Sequence, residues 1–203
     1  MKPIMPSAMH AIVMVGIPGA GKTTFAARFA DTFNAPFFNL PKIKEDLDLD
    51  AKQMAQFFEL TMQEISKTGQ TVIIEGFADT KKERESLGQI LERLKFKVMF
   101  VWVQTDTNES LKRATLKRAG GSQLTEKEFD NLLDIFDPPE PKEKAVVISG
   151  RHAYPTQLKV VLRHMASTVV RPGLSSNATA DRQVRPRARN VVSVSSVKNM
   201  PKR

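Results

Sequence analysis

The chain contains no cysteine. This excludes a disulfide framework, a thiolate metal site and a cysteine nucleophile, and it fits a reducing cytoplasm. No apolar run approaches the roughly 20 residues that a helix needs to cross a bilayer, so no membrane partner is expected. The largely apolar stretch from Ala8 to Val15 runs straight into glycine and lacks a small-residue cleavage site, which argues against a signal peptide. His10, His152 and His164 are scattered without metal-binding spacing and read as structural. No internal repeat is visible.

What is present suits one α/β domain with a tail: 203 residues, 41% of them hydrophobic. The formal net charge of +9 is unevenly placed. Residues 166–203 hold eight basic side chains against Asp181 alone, so most of the excess lies at the C-terminal end. From about Ser167 the composition turns to Arg, Pro, Ser, Asn and Val without helical period, which predicts a disordered basic tail. The expected division is a domain over 1–166 and a tail over 167–203. Arg182, Arg185, Arg187 and Arg189 fall within eight residues. Such an arm can neutralise phosphates without reading sequence; it can equally be a solubilising end.

Short apolar runs at Ala11–Val15, Pro36–Leu40, Thr71–Ile74, Lys97–Val103 and Ala145–Ile148 predict strands. Segments with helical period separate them: Lys22 to Thr32, Asp50 to Lys67, Lys81 to Leu94, Asn108 to Arg118, Thr125 to Phe136 and Thr156 to Met165. Thr125 with Glu128 three residues on is a capping-box pattern. Trp102, in mid-strand, reads as core. Alternating strands and helices predict a three-layer fold around a mostly parallel five-stranded sheet.

The first strand ends in Gly16-Ile17-Pro18-Gly19-Ala20-Gly21-Lys22-Thr23-Thr24. This satisfies the whole Walker A spacing, with a strand before it and a helix after it, as the motif requires. Glycines let consecutive backbone N–H groups face one anion, and the helix N-terminus adds partial positive charge. Lys22 is expected on the β- and γ-phosphates of ATP, the Thr23 hydroxyl on Mg²⁺, and Thr24 near the α-phosphate. The base-reading Asn-Lys-x-Asp of GTPases does not occur in the chain. A short chain with its loop near the N-terminus, and arginines after the fourth strand, matches small-molecule and nucleic-acid kinases.

Over residues 11–165 the sequence resembles the P-loop kinases related to bacteriophage polynucleotide kinase, including phage 5-hydroxymethyluracil DNA kinases, and more distantly zeta-toxin and gluconate kinases. The residues carrying the resemblance are Gly16 to Thr24; Val72 to Gly76 with Arg84 beyond; Phe100 to Val103 followed by Thr105, Glu109, Leu111, Arg113 and Arg118; and Phe136-Asp137-Pro138-Pro139. It implies a P-loop NTPase fold with a helical lid. It also implies that Glu75 holds a Mg²⁺-bound water or orients the acceptor; the alternative is a surface carboxylate at a strand end. Arg113 and Arg118 fall on the lid pattern, where guanidinium groups neutralise the transferred phosphoryl group; the alternative is a solvated charged helix. Where the family places a base aspartate after the second strand, this chain has Leu40-Pro41-Lys42. Asp46, or Glu45, is the candidate from a shifted loop, or else a carboxylate favoured by a helix start.

The expected function is therefore transfer of the γ-phosphoryl group of ATP to a hydroxyl carried on DNA, foremost the hydroxymethyl group of 5-hydroxymethyluracil. A 5′-hydroxyl polynucleotide kinase and a small-metabolite or nucleotide-sugar kinase are the alternatives.

Overall fold

The computed structural model describes residues 9–116 and 124–167. Arg118 and the basic tail lie outside these residues. Five strands form one sheet in the order β2-β3-β1-β4-β5: β1 His10–Val15, β2 Phe37–Asn39, β3 Val72–Glu75, β4 Lys97–Gln104 and β5 Val146–Ser149. Every pairing is parallel. Seven α-helices accompany them among the described residues: α1 Lys22–Phe33, α2 Leu40–Asp46, α3 Ala51–Thr68, α4 Lys81–Arg93, α5 Thr107–Thr115, α6 Glu126–Ile135 and α7 Tyr154–Ser167.

The strand period of two assigns alternate residues of β1 to opposite layers. Ile12 and Met14 join one apolar cluster with Phe25, Ala26 and Phe29 of α1 and Val161 of α7. Ala11, Val13 and Val15 join another with Met54, Phe58 and Met62 of α3 and Leu87 and Leu91 of α4. All six residues of β1 are buried, which is why Ala11 to Val15 read as a continuous apolar run rather than an alternating one. Each fully buried Phe or Met of these layers contributes about 1.5–3 kcal/mol.

The helix starts follow from local chemistry. Thr80 with Glu83, Thr125 with Glu128 and Asp50 with Gln53 form reciprocal capping boxes. One helix was not expected. Leu40–Asp46 directly follows β2, where the sequence suggests only the end of a strand and a loop. Asn39 caps it by accepting from the Lys42 N–H at 3.1 Å, and Pro41 sits in its first turn, where a missing N–H costs nothing.

Candidate active site

The strand order makes β1 and β3 neighbours whose chains leave in opposite directions, β1 towards β2 and β3 towards β4. The crevice outside their C-terminal ends is the topological switch point where open α/β sheets bind ligands. Residues 16–21 curl over it, and α1 begins at Lys22. Its N-cap, Gly21, has φ 107° and makes no side-chain cap, so the first-turn N–H groups point at the crevice without a capping oxygen of the kind that starts α3, α4 and α6. The loop also lies hard against α5: a Cβ on Gly19 would stand 2.1 Å from the Ser110 carbonyl oxygen.

Lys22 donates its ammonium N–H groups to the carbonyl oxygens of Gly16 at 2.6 Å and Ile17 at 3.1 Å. Desolvation lowers its pKa, against the opposing pull of the Glu75 and Asp79 carboxylates. Glu75 is buried at the end of β3, opposite Met14 of β1. Its Oε1 accepts from the Thr23 hydroxyl at 2.8 Å, while its Oε2 is buried without a hydrogen-bond partner. Burial raises the Glu75 pKa; Lys22 and the Thr23 hydrogen bond offset this only in part. Thr23 and Glu75, expected together, are brought together.

Sequence reasoning did not single out Asp79, in the turn between β3 and α4. Burial raises its pKa, and Lys22 is the strongest opposing influence. Its backbone is fastened on both sides. Its N–H donates to Glu83 Oε2 at 3.0 Å and its carbonyl accepts from the Asp137 N–H at 2.9 Å. Behind it stands Arg84, only 1% exposed. This guanidinium grips Glu143 through Nε at 2.7 Å and Nη2 at 2.9 Å, and donates Nη1 to the Asp137 carbonyl at 2.7 Å. Longer contacts of Nη1 reach the carbonyls of Ala78 and Asp79, at 3.3 and 3.4 Å. Arg84 thus joins the turn bearing Asp79 to the 136–143 segment.

Asp46 is exposed on α2, and its carboxylate pairs with Lys42 at 3.0 Å, one helical turn away. Glu45 is exposed on the same helix. Arg113 of α5 pairs with Glu109, which also holds Arg151, and donates to the Gly150 carbonyl at 3.1 Å. An open cavity of about 520 Å³ at the ends of β4 and β5 is lined by Ile17 of the loop, Trp102, Thr105, Phe136 and Arg151. Trp102 both lines it and packs on the α3–α4 layer.

A family model described as an AAA domain matches residues 12–139, from β1 through the 136–139 segment. Among solved structures, a sugar kinase from Janibacter sp. HTCC2649 superimposes with a TM-score of 0.59 at 18% identity, over 80% of this chain and 99% of that one. Kti12 from Chaetomium thermophilum, in complex with ADP-AlF3, gives 0.59 at 14% identity, over 79% and 99%. A gluconokinase from Sinorhizobium meliloti 1021 gives 0.56 at 14%, over 80% and 94%. At these identities the likeness is one of fold.

Proposed function

The chain belongs to the AAA domain family, and from that premise we propose that it is a P-loop kinase moving the γ-phosphoryl group of ATP onto a hydroxyl. The observation that carries this reading is the Thr23–Glu75 contact across the mouth of a complete phosphate loop, with the Lys22 ammonium beside it. A hydroxyl, a carboxylate with one unpartnered buried oxygen and the phosphates themselves are the hard oxygen set that suits Mg²⁺. Thr23 and Glu75 would hold it, and it would supply charge neutralisation on the β- and γ-phosphoryl oxygens.

The chain's own groups do the rest. The loop N–H groups fix the phosphates, and Lys22 moves from the loop carbonyls onto the β- and γ-oxygens. Asp79 aligns the acceptor hydroxyl and takes its proton as the acceptor oxygen bonds to the γ-phosphorus and the bond to the ADP oxygen breaks. A carboxyl with its pKa raised by burial is well matched to that work. Asp79 takes the role in preference to Asp46, because Asp79 is electrostatically coupled to Lys22 while Asp46 is paired with Lys42. Arg118 supplies the lid charge, since Arg113 is engaged by Glu109 and Gly150.

The acceptor in this proposal is a hydroxyl on DNA, foremost the hydroxymethyl group of 5-hydroxymethyluracil. Residues 1–166 act as the kinase domain and 167–203 as a basic arm that neutralises backbone phosphates. The support is the sequence resemblance and the charge of that arm. The test is transfer from labelled ATP to a panel: hydroxymethylated DNA, plain DNA with a free 5′ end, free nucleosides and gluconate. Label on hydroxymethylated DNA alone upholds the reading. Label only on a small polyol replaces the acceptor, and label on none discards the kinase.

A further inference from the structure

Five non-glycine residues among those described have positive φ: Asn34, Asp48, Phe77, Lys95 and Lys144. Four of them are polar and stand at or just past the end of a helical segment, where a left-handed residue closes the last turn. Phe77, at φ 52°, differs in every respect. It follows a strand, it is aromatic, and it lies midway between Glu75 and Asp79. The conformation is strained for any residue with a Cβ. It is also enforced: the preceding Gly76 is pressed against α2, where a Cβ would meet Pro41 Cδ at 2.4 Å, and the following Ala78 and Asp79 are held by Arg84.

The ring gains little from the fold in return. Phe77 is 38% exposed and belongs to neither apolar cluster. Phe33, exposed at 45%, at least lies against the Phe29 ring with centroids 4.5 Å apart; among the described residues no ring partners Phe77. A strained backbone and an exposed aromatic face coincide in the turn that carries Asp79 and follows directly on Glu75. Backbone strain retained at such a place is characteristic of a ligand clamp.

We propose that Phe77 is a stacking platform for the acceptor, and that the acceptor is therefore a planar heterocycle, a nucleobase, carrying the hydroxyl on a short arm. The placement of the acceptor beside Asp79 rests on the kinase reading above. A base lying on the Phe77 face would bring an exocyclic hydroxyl to the neighbouring carboxylate. Stacking tolerates any base because every base has a π-face; the arm bearing the hydroxyl decides which one reacts. In a duplex the target base must leave the stack to reach this face.

The experiment compares wild type with Phe77→Gly, Phe77→Leu and Phe77→Trp in the full chain. The probes are an oligothymidylate bearing one 5-hydroxymethyl-2′-deoxyuridine, gluconate as a non-planar acceptor, and ATP. Equilibrium binding, phosphate transfer and melting temperature are measured for each. Phe77→Gly and Phe77→Leu should weaken oligonucleotide binding roughly tenfold, leave ATP binding unaltered, and leave any gluconate transfer unaltered. Phe77→Trp should retain the affinity. Phe77→Gly should not lower the melting temperature, since glycine accepts the left-handed region freely. Unchanged oligonucleotide binding in both truncated variants overturns the proposal, as does failure of wild type to bind the oligonucleotide. A loss shared equally by ATP and melting temperature also overturns it, marking Phe77 as structural. Phe77-dependent binding without transfer to any acceptor would uphold the platform and discard the kinase instead.

Discussion

On the β1 side of the crevice the groups that face a ligand are contiguous in the chain: Gly16 to Thr24, one loop and one helix start. On the β3 side they are assembled from afar. Asp79 is set by Arg84 five residues on, and through it by Asp137 and Glu143, which lie 53 and 59 residues beyond Arg84. The first wall is made of loop backbone and of two adjacent side chains, Lys22 and Thr23, that the same helix start presents. The second is made of side chains locked by a buried ion pair. A site for a constant group, a triphosphate, can be local. A site that must select one acceptor is the one that draws on distant segments.

The largest break in that comparison should come from the local wall. Lys22→Ala should lower turnover about 10³-fold by removing a charge-assisted donor from the transferred group, with the melting temperature kept, because burial already disfavours this ammonium. Near-normal transfer of labelled phosphate in this variant would remove the loop from the chemistry. Asp79→Asn comes next, with a loss of about 10²-fold in kcat and little change in ADP affinity. Asp46→Asn is its control and should turn over normally; the reverse pattern would return the base to α2.

Arg84→Ala sharpens the contrast. It deletes a fully buried guanidinium and its paired hydrogen bonds to half-buried Glu143, and should cost about 1–3 kcal/mol in urea unfolding. Well below its new unfolding midpoint the variant should still bind ADP while kcat falls about tenfold, because Asp79 loses its anchor. Arg84→Lys should restore only part, since an ammonium cannot reproduce the two-pronged grip. Equal loss of ADP affinity and kcat would mean that the two walls are not separable.

The smallest effect concerns pH. Burial raises the Glu75 pKa, so the folded chain holds that proton to higher pH than the unfolded chain does. The contribution to stability is full below the ordinary glutamate value of 4.5 and is lost as pH rises through the raised one. Glu75→Gln should therefore be at least as stable as wild type at pH 8 without added metal, and the two should converge below pH 4.5. Its activity should fall, with higher Mg²⁺ recovering part. A Gln variant less stable at pH 8 than at pH 4 relative to wild type would reverse the sign.

How far the sequence carried the reading follows the same division. The phosphate loop, the five strands and the Thr125 capping box were legible, because spacing, apolar runs and cap chemistry are local. Thr23 and Glu75 were both legible as candidates for the crevice, one as the motif residue at the start of α1 and the other as a carboxylate at the end of β3. Helix α2 was hidden because proline reads as a breaker, although in a first turn it is a starter. Asp79 was hidden because nothing in Gly-Phe-Ala-Asp-Thr announces burial, which Arg84 and the 136–143 segment impose from a distance. Arg113 fitted its motif, yet its guanidinium is bound by Glu109, which helical spacing places within reach on the same face. The roles expected of Arg118 and of the arginine-rich tail fall on residues that the structure does not describe.

Gly19 and Gly76 stand on opposite walls, and each touches another helix where a methyl group would sit: Ser110 of α5 for one, Pro41 of α2 for the other. The width of the crevice is thus gauged by two missing carbon atoms. Random replacement at both positions followed by selection for activity should return glycine at each, even as the surrounding loop residues drift. An alanine at Gly19 would have to push α5 outwards, and one at Gly76 would have to displace α2. Chains that share this architecture can therefore change what they grip far more readily than how far apart they hold their two jaws.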